Sequence, residues 1–281
     1  MAEQTGIEWC DHTFNPWTGC TKVSPGCRNC YAETLRARFG HGGEWGPNGV
    51  RTRTSESYWR QPLKWDRAAA DAGVRRRVFC ASLADVFESR PQLDEWRSDL
   101  WELIRATPNL DWLLLTKRPE HIPLLASGLL RCTLCSEPPT HPFNLRCTCG
   151  EARITQLLPS NVWVGTSVES QNVAKRVDFL RAVPAHVRFL SCEPLLGPID
   201  FGPEGLAGIG WVIVGGESGP NARPMHPEWV RSIRDQCVAA GVPFLVKQWG
   251  EYDENGVKVG KKAAGRMLDG RVWDEYPRGE R

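Results

Sequence analysis

Six short apolar runs, each followed by small or polar residues and then by helix-like sequence, constrain the fold of this chain more than any other feature. Continuous apolar runs of this length are typical of strands that are buried on both faces. Because strand and helix alternate, the pattern predicts right-handed βαβ units and a parallel sheet. The runs are Val78–Leu83, Trp112–Leu115, Val162–Gly165, Val187–Leu190, Trp211–Val214 and Pro243–Val246.

One further strand is predicted at Ile7–Cys10, which brings the count to seven. The α/β class with this count predicts a partial or full parallel (β/α) barrel, and residues 1–281 fit a single barrel domain. The segment Gly40–Arg60 is rich in Gly, Arg, Ser and Thr and predicts a long irregular loop over the active face. The predicted helices are Cys30–Phe39, Gln61–Arg67, Leu93–Ala106, Pro119–Ser127, Asn172–Ala182 and Pro227–Ala240.

The overall charge and the cysteine usage limit the classes of function. The formal net charge is +2, so no global field directs the chain to nucleic acid or to a membrane. The segment before Ile7 is short and polar, and no apolar run approaches the length of a membrane span, so we expect a cytoplasmic protein. The chain has eleven cysteines, and clustering of cysteines in such a chain favours metal or redox chemistry over a disulfide framework.

Three cysteines, Cys20, Cys27 and Cys30, lie in a loop rich in Gly, Pro and Thr with the spacing C-x6-C-x2-C. A Cys pair with one more Cys on a loop is a way to present thiolates to iron or zinc. A structural zinc ion takes four protein ligands, whereas a [4Fe–4S] cluster with three leaves one iron open. No fourth cysteine follows closely, so the count favours a cluster with an open position.

The same residues also allow other ligand sets. A zinc site completed by His12 or His41 is one alternative, and three free buried thiols are another. Cys10 is a third candidate for the fourth ligand, although it falls on the predicted first strand.

Polar residues follow each predicted strand, where a parallel barrel carries its catalytic and ligand groups. Capping and turn chemistry explain one such cluster, but six in succession predict a single polar cavity that gathers a cluster, a cofactor and a substrate. The residues are Ser82 and Asp85; Thr116, Lys117 and Arg118; Thr166, Ser167 and Glu169; Ser191, Cys192 and Glu193; Gly215, Gly216, Glu217 and Ser218; Lys247, Gln248 and Trp249.

A second cysteine group, in residues 131–150, interrupts the barrel pattern. Cys132, Cys135, Cys147 and Cys149 supply four thiolates across a Pro-rich segment, which predicts an inserted zinc knuckle with a structural Zn²⁺. An auxiliary iron–sulfur cluster or metal-free thiols are the alternatives.

The chain ends in residues 250–281, a predicted extension on the rim of the barrel. It contains a predicted hairpin of Met267–Leu268 and Val272–Trp273 around an Asp-Gly turn.

With these motifs, the chain resembles the radical S-adenosylmethionine superfamily, and more narrowly the phage-associated three-Cys-motif family of largely uncharacterised proteins. The resemblance covers nearly the whole chain apart from the Cys-rich insert. It is carried by F-N-P-W-T-G-C (14–20), P-G-C-x-x-C-Y-A (25–32), L-L-L-T-K-R-P (113–119), S-C-E-P-L (191–195), G-G-E-S-G (215–219) and L-D-G-R-x-W (268–273).

The resemblance implies a [4Fe–4S] cluster on Cys20, Cys27 and Cys30, with S-adenosylmethionine on the open iron and release of a 5′-deoxyadenosyl radical. Three departures are visible. The first cysteine gap holds six residues instead of three, Asn29 stands in place of the usual aromatic residue before the third cysteine, and the Gly-Gly-Glu motif follows a late strand instead of the second. The candidate contacts to S-adenosylmethionine are therefore Ser82, Asp85, Thr116, Lys117, Thr166, Ser167, Glu169, Glu193, Gly215, Gly216 and Glu217.

Two classes of function remain. The first is a radical enzyme with Cys192, Glu193 and Lys117 as catalytic candidates. Cys192 would act as a hydrogen-atom donor or a covalent participant, and packing in the core is its alternative role. Its partners would be an electron donor such as flavodoxin or ferredoxin, a nucleotide or nucleic-acid substrate, and a neighbouring-gene protein that completes the site. The second is a non-enzymatic zinc-binding adaptor or nucleic-acid-binding protein on a barrel scaffold.

The arginines that suit phosphate are Arg51, Arg53, Arg75, Arg76 and Arg77, although a solvated lead-in to a strand explains the last three equally well.

Overall fold

One parallel sheet of seven strands is the centre of the fold, in a computed structural model that describes residues 5–38, 45–129, 158–202 and 204–277. The strands are β1 (His12–Thr13), β2 (Arg76–Cys80), β3 (Leu110–Thr116), β4 (Val162–Ser167), β5 (Val187–Cys192), β6 (Trp211–Gly215) and β7 (Phe244–Gln248). Six of them lie on the six apolar runs, so the strand predictions are confirmed there.

The strands follow one another in sequence order across the sheet, and every neighbouring pair is parallel. Within the described residues, β1 and β7 are the two edges and do not pair with each other. The sheet is therefore a curled half-barrel, which confirms the α/β class and the partial form of the predicted barrel. All seven carboxyl ends point to one edge, and this edge positions the site described below.

Helices connect the strands and cover the outer face of the sheet. They are α1 (Tyr31–Arg38), α2 (Glu56–Trp59), α3 (Gln61–Asp71), α4 (Asp94–Arg105), α5 (Ile122–Leu125), α6 (Arg176–Arg181), α7 (Pro227–Ala240) and α8 (Lys261–Ala264). The prediction for α7 is confirmed to the residue, because a proline starts this helix and Gly241, with a φ of 67°, ends it.

The core has two layers, since alternate residues of each strand face opposite sides of the sheet. The layer inside the half-barrel is rich in aromatic side chains, whereas the outer layer lies between the sheet and the helices. Gly165 shows how tightly the inside is filled, because a Cβ at this position would overlap the ring of Phe189. The inner side chains are Trp9, Cys10, Phe79, Leu113, Trp163, Phe189, Trp211, Ile213 and Leu245.

The prediction of a strand at Ile7–Cys10 is wrong. The backbone turns there, with a hydrogen bond of 3.3 Å from Cys10 N to Ile7 O, and the first strand is His12–Thr13. Trp9 is 1% exposed because this turn inserts it into the interior of the half-barrel. Trp9 is therefore apolar because it fills the interior of the half-barrel, and not because it belongs to a strand of the sheet.

The prediction of a long irregular loop at Gly40–Arg60 is also wrong where the structure describes it. Residues Thr52–Arg53 form an antiparallel pair with Trp17–Thr18, and α2 follows. This pair ties the segment to the start of the cysteine loop.

The C-terminal hairpin joins Met267–Leu268 to Arg271–Val272, and its second strand starts one residue earlier than predicted. Asp269 and Gly270 have φ angles of 53° and 74°, as the tight two-residue hairpin turn requires. Leu268 is fully buried, and Trp249 Nε1 donates to the carbonyl of Met267 at 2.6 Å. The extension 250–281 and the knuckle 131–150 stay predictions as domain assignments, and the knuckle with Cys132, Cys135, Cys147 and Cys149 lies outside the described residues.

Among the helices that the structure describes, none has both the length and the apolar character needed to cross a bilayer.

Candidate functional site

The three loop cysteines lie together at the carboxyl edge of the sheet. Cys20, Cys27 and Cys30 line one cavity of about 170 Å³, and none of them is in a disulfide. Trp9 and Phe79 from the inner core layer also line this cavity, as does Tyr31 at the start of α1. The strand-end residues that share it are Ser82, Asp85, Thr116, Lys117, Arg118, Ser167, Ser191, Glu193 and Lys247.

Local sequence gives the cysteine loop its shape. Gly19 has a φ of 105° and donates from its backbone N to Leu83 O at 3.0 Å, so the loop starts against the end of β2. Pro25 starts a 3₁₀ turn over Pro25–Cys27. Cys30 then precedes α1 directly. The loop is thus a series of tight turns between a strand and a helix.

Arg118, after β3, holds the first part of this loop. Its Nη2 donates to the carbonyl of Thr21 at 2.6 Å, and its Nη1 lies 3.8 Å from Cys20 Sγ. The same Nη1 donates to Asp85 at 2.7 Å. Asp85 also accepts a hydrogen bond from the Thr116 hydroxyl at 2.8 Å, so two strand ends fix the position of this arginine.

Glu169, after β4, holds the middle of the loop. Ser24 Oγ donates to its carboxylate at 2.7 Å, and Lys117 and Arg176 pair with it at 3.0 and 2.9 Å. Gly26 lets the loop come this close, because a Cβ there would lie 2.5 Å from Glu169 Oε1. Burial alone would raise the pKa of Glu169, but Lys117 and Arg176 hold it below its usual value. The carboxylate is therefore ionised and fully engaged.

Glu217, after β6, holds the last part of the loop. Asn29 Nδ2 donates to its carboxylate at 3.0 Å, next to Cys30. Arg223 pairs with the same carboxylate at 2.6 Å and donates to the carbonyl of Pro25 at 3.1 Å. A residue beside each cysteine is thus bound by a charged strand-end residue of the barrel. Thr21 is bound by Arg118, Ser24 by Glu169, and Asn29 by Glu217.

These contacts bear on the predicted cofactor ligands. Glu169 and Glu217 bind the cysteine loop and are not among the residues that line the cavity. Gly215 and Gly216 serve close packing, because a Cβ on Gly215 would lie 2.7 Å from Glu193 Oε1 and one on Gly216 would overlap the backbone of Trp249. Thr166 is buried, and its hydroxyl donates to the carbonyl of Thr116 at 3.0 Å.

Glu193 and Lys247 form a second charged group in the cavity. Lys247 Nζ lies 2.8 Å from Glu193 Oε1, and Ser191 Oγ donates to Glu193 Oε2 at 3.0 Å. Burial opposes the charge on Lys247, but the Glu193 carboxylate outweighs it and raises the pKa of the ammonium. Of the predicted catalytic residues, Glu193 and Lys117 line the cavity.

Cys192 lies on the other side of β5. Ser191 and Glu193 face the cavity, so the residue between them faces the outer core, where Cys192 is fully buried. This position does not support a role as a hydrogen-atom donor. The alternation of side chains along a strand predicts from the sequence that Cys192 faces away from Ser191 and Glu193.

The arginines predicted to suit phosphate are engaged within the chain. Arg51 is buried and pairs with Glu88 at 2.6 Å. Arg53 pairs with Asp99 at 2.7 Å, and Arg75 pairs with Asp111. The remaining two, Arg76 and Arg77, pair with Asp11 at 3.3 and 3.5 Å. Because each of them has a carboxylate partner within the chain, these arginines do not by themselves indicate a phosphate-binding patch.

Burial controls the protonation of the loop thiols. Burial, reinforced by Asp85, raises the pKa of Cys20 to about 12, and burial also raises the pKa of Cys30. Thiols in this environment stay protonated until a metal replaces the proton. Cations from Arg118 and Lys117 are in place to balance the negative charge of bound thiolates.

The geometry also bears on the kind of metal centre. Throughout the ranges that the structure describes, no group of three or more His, Cys, Asp or Glu side chains meets the requirements for holding a metal ion. A [4Fe–4S] cluster differs from a single ion because it binds each thiolate through a different iron, and its ligands stand further apart. Cys10 and His12 line a separate cavity beside Trp65, so neither joins the three cysteines as a fourth ligand. His41 lies outside the described residues.

The residues that sequence reasoning missed are those that hold the loop. Ser24 and Asn29 lie within the cysteine motif itself, and Arg176 and Arg223 each follow a strand-end glutamate by six or seven residues. The only sequence feature that marks these residues is their nearness along the chain to a cysteine or a strand-end glutamate. That feature does not predict which side chain each of them contacts.

Comparison with known proteins gives one match over nearly the whole chain. A family model described as "Protein of unknown function (DUF5131)" matches residues 4–277. No curated protein matches the chain.

Solved structures of spore photoproduct lyase are loosely similar. One of a cysteine-to-serine variant has a TM-score of 0.43 at 14% identity, covering 77% of this chain and 60% of that chain. The lyase complexed with dinucleoside spore photoproduct has a TM-score of 0.39 at 14% identity, covering 78% and 58%. A double variant with bound AdoMet and the same photoproduct has a TM-score of 0.41 at 14% identity, covering 81% and 61%. The chain thus spans about three fifths of the lyase chains, and overlaps of this quality do not assign it an activity.

Proposed function

This chain belongs to the DUF5131 family of proteins of unknown function, and from the geometry of its own site we propose that it is a radical S-adenosylmethionine enzyme. In this proposal Cys20, Cys27 and Cys30 hold a [4Fe–4S] cluster that leaves one iron open. The observation that carries it is the arrangement of three free thiols on one loop, over one polar cavity, at the carboxyl edge of a parallel half-barrel.

The loop contacts support the proposal because a cluster needs ligands that stay in place. Arg118, Glu169 and Glu217 each bind the loop beside a different cysteine. Charged groups that are buried and fully paired define one arrangement, since leaving any of them unpaired is costly. The barrel therefore presents the thiols in a pre-organised loop.

When bound, the cluster and S-adenosylmethionine would supply one-electron cleavage of the sulfonium and a species that abstracts hydrogen from a substrate. The chain's own residues bind, orient and exclude water. Ser82 and Ser167 line the cavity with hydroxyl side chains, and Trp9 and Phe79 supply an apolar wall. The hydroxyl of Thr116 is instead bound to Asp85 and to the backbone N of Arg118. Lys117 and Lys247 remain protonated through their glutamate partners and are placed to bind the carboxylate of a ligand.

The finer predictions belong to the proposal as well. They are the phage-associated family, a nucleotide or nucleic-acid substrate, a flavodoxin- or ferredoxin-type electron donor, and a neighbouring-gene protein that completes the site. Cytoplasmic location and a zinc ion on the Cys-rich insert are proposed on the sequence pattern alone. Glu169 and Glu217 leave the set of ligand contacts, since their carboxylates are bound to the cysteine loop.

The test is anaerobic reconstitution with iron and sulfide, followed by reduction in the presence of S-adenosylmethionine. We expect a brown protein with about four iron atoms on the loop cysteines, and formation of 5′-deoxyadenosine. The variant Cys30→Ala should form none. Cys237→Ala is the matched control, because this cysteine lies on α7 in the outer core, away from the cavity.

Two results would contradict the proposal. Undiminished 5′-deoxyadenosine from Cys30→Ala would remove the assigned ligand set. Colourless wild-type protein that retains zinc after reconstitution would instead favour the zinc-binding adaptor.

A further inference from the structure

Arg118 is a cation in direct contact with a sulfur of the proposed cluster site. Its Nη1 lies 3.8 Å from Cys20 Sγ, within the range of a hydrogen bond to sulfur. Its other terminal nitrogen donates to the carbonyl of Thr21 at 2.6 Å. The contact is thus made to the first cysteine of the loop and to the residue that follows it.

The position of this guanidinium is closely defined. Arg118 is 6% exposed, and its Nη1 donates to Asp85 at 2.7 Å. Its backbone N donates to the hydroxyl of Thr116 at 2.9 Å, and that hydroxyl donates in turn to Asp85. A charge held in this way acts on its neighbour with little screening by water.

The two cations after β3 have different partners. Lys117 pairs with Glu169 at 3.0 Å, whereas Arg118 reaches Asp85 and a cysteine sulfur. Holding the loop backbone requires only the bond to Thr21. The second nitrogen, shared between Asp85 and Cys20, needs another explanation.

Reduction of an iron–sulfur cluster adds one electron, and therefore one negative charge, to the iron and its thiolates. A positive charge and an N–H donor at a ligand sulfur stabilise the reduced form more than the oxidised form, which raises the reduction potential. A carboxylate next to that donor opposes this effect. Arg118 and Asp85 are such a pair, because Nη1 of Arg118 contacts both the Asp85 carboxylate and Cys20 Sγ.

We propose, on the basis of the function proposed above, that Arg118 and Asp85 together set the reduction potential of the cluster through the Arg118–Cys20 contact. Arg118 is a positioning residue that acts through Cys20. One electron enters from a one-electron reductant, either the physiological donor or dithionite in the experiment, and no proton or covalent bond is exchanged at the arginine.

The experiment is a potentiometric titration of the reconstituted protein without S-adenosylmethionine, followed by the electron paramagnetic resonance signal of the reduced cluster. Iron content is measured first on every sample. The variants are Arg118→Gln, which removes the charge, and Asp85→Asn, which removes its counter-charge. Arg28→Gln is the matched control, because Arg28 is next to Cys27 but exposed to solvent.

We expect Arg118→Gln to lower the reduced-to-oxidised ratio at a fixed potential by about tenfold, a shift of about 59 mV to more negative values for one electron. Asp85→Asn should shift the midpoint in the opposite direction, and Arg28→Gln should leave it near the wild-type value. Opposite shifts would not arise from a loosened loop, which would disturb both variants alike.

Unchanged midpoints in iron-replete variants, or shifts in the same direction, would overturn this inference and leave the proposed function standing. If Arg118→Gln does not assemble a cluster, Asp85→Asn decides the question alone, since a midpoint that does not rise contradicts the inference. Wild-type protein that takes up no iron would overturn both proposals.

Discussion

Replacing Glu169 by glutamine gives the most direct measure of how the barrel holds the cysteine loop. Glu169 is 1% exposed, and its carboxylate accepts from Ser24 and pairs with Lys117 and Arg176. Glutamine keeps the size of the side chain but removes the charge. Two cations that are themselves largely buried would then lose their shared partner.

The structure allows an estimate of the cost. Removing one partner of a buried ion pair costs about 3–5 kcal/mol. Lys117 retains about a fifth of its side-chain exposure, and the glutamine oxygen still accepts one hydrogen bond, so we expect the lower end, about 3 kcal/mol. At about 2–4 °C per kcal/mol for a large domain, the melting temperature should fall by roughly 6–12 °C.

The assay is a thermal melt of the metal-free protein, followed by far-UV circular dichroism, with cluster uptake measured separately. Asp178→Asn is the control, because Asp178 forms a pair with Arg181 on α6 but is 72% exposed. Exposed helix pairs of this spacing contribute about 0.2–0.5 kcal/mol, so the melting temperature of this variant should hardly change. A melting temperature for Glu169→Gln equal to that of the control would refute the reasoning that this carboxylate anchors the loop.

Three further outcomes follow from other parts of the molecule. Glu217→Gln should lower the iron bound at a fixed iron-to-protein ratio, because Asn29 and Arg223 lose a charged acceptor beside Cys30; uptake equal to wild type would contradict this. Gly165→Ala should cost about 1–3 kcal/mol in urea unfolding, because the inner core has no room for a methyl group; an unchanged unfolding midpoint would show that the core can yield. Burial would raise the pKa of Glu88, but its bonds to Arg51 lower that pKa overall. The ionised carboxylate therefore stabilises the fold above its unfolded pKa of about 4.3. This contribution is lost as the pH falls through the lower pKa of the folded state. Urea midpoints of the wild type should therefore fall more steeply on acidification than those of Glu88→Gln, and parallel curves would count against the pairing.

Several parts of the fold follow from local sequence. The apolar runs predict β2 to β7 because a strand buried on both faces is apolar over most of its length, and no distant residue is needed to recognise that. Helix α7 follows from a proline at its start and a glycine after its end. The carboxyl edge as the place of the polar residues follows from parallel strand direction alone.

The local sequence led to a wrong prediction where an apolar residue packs against residues that are distant along the chain. Ile7–Cys10 has the composition of a strand, yet Trp9 fills the interior of the half-barrel from a turn. Whether an apolar residue pairs in a sheet or plugs its interior depends on the curvature of the whole sheet. The same holds for the arginines before β2, whose carboxylate partner Asp11 is brought to them by the pairing of β1 with β2.

By itself, the sequence determined the parallel α/β arrangement, the three-cysteine loop and the edge at which polar groups collect, because each depends on residues that are near one another along the chain. It left open whether the barrel is partial or full, since that depends on whether the first and last strands pair. The tertiary structure alone decided which of those polar groups face the cavity and which hold the loop. Glu169 is 145 residues from Ser24, and Glu217 is 188 residues from Asn29. A carboxylate binds whichever donor the folded chain brings to within about 3 Å, and that choice is made by the packing of the barrel and not by the residues beside it.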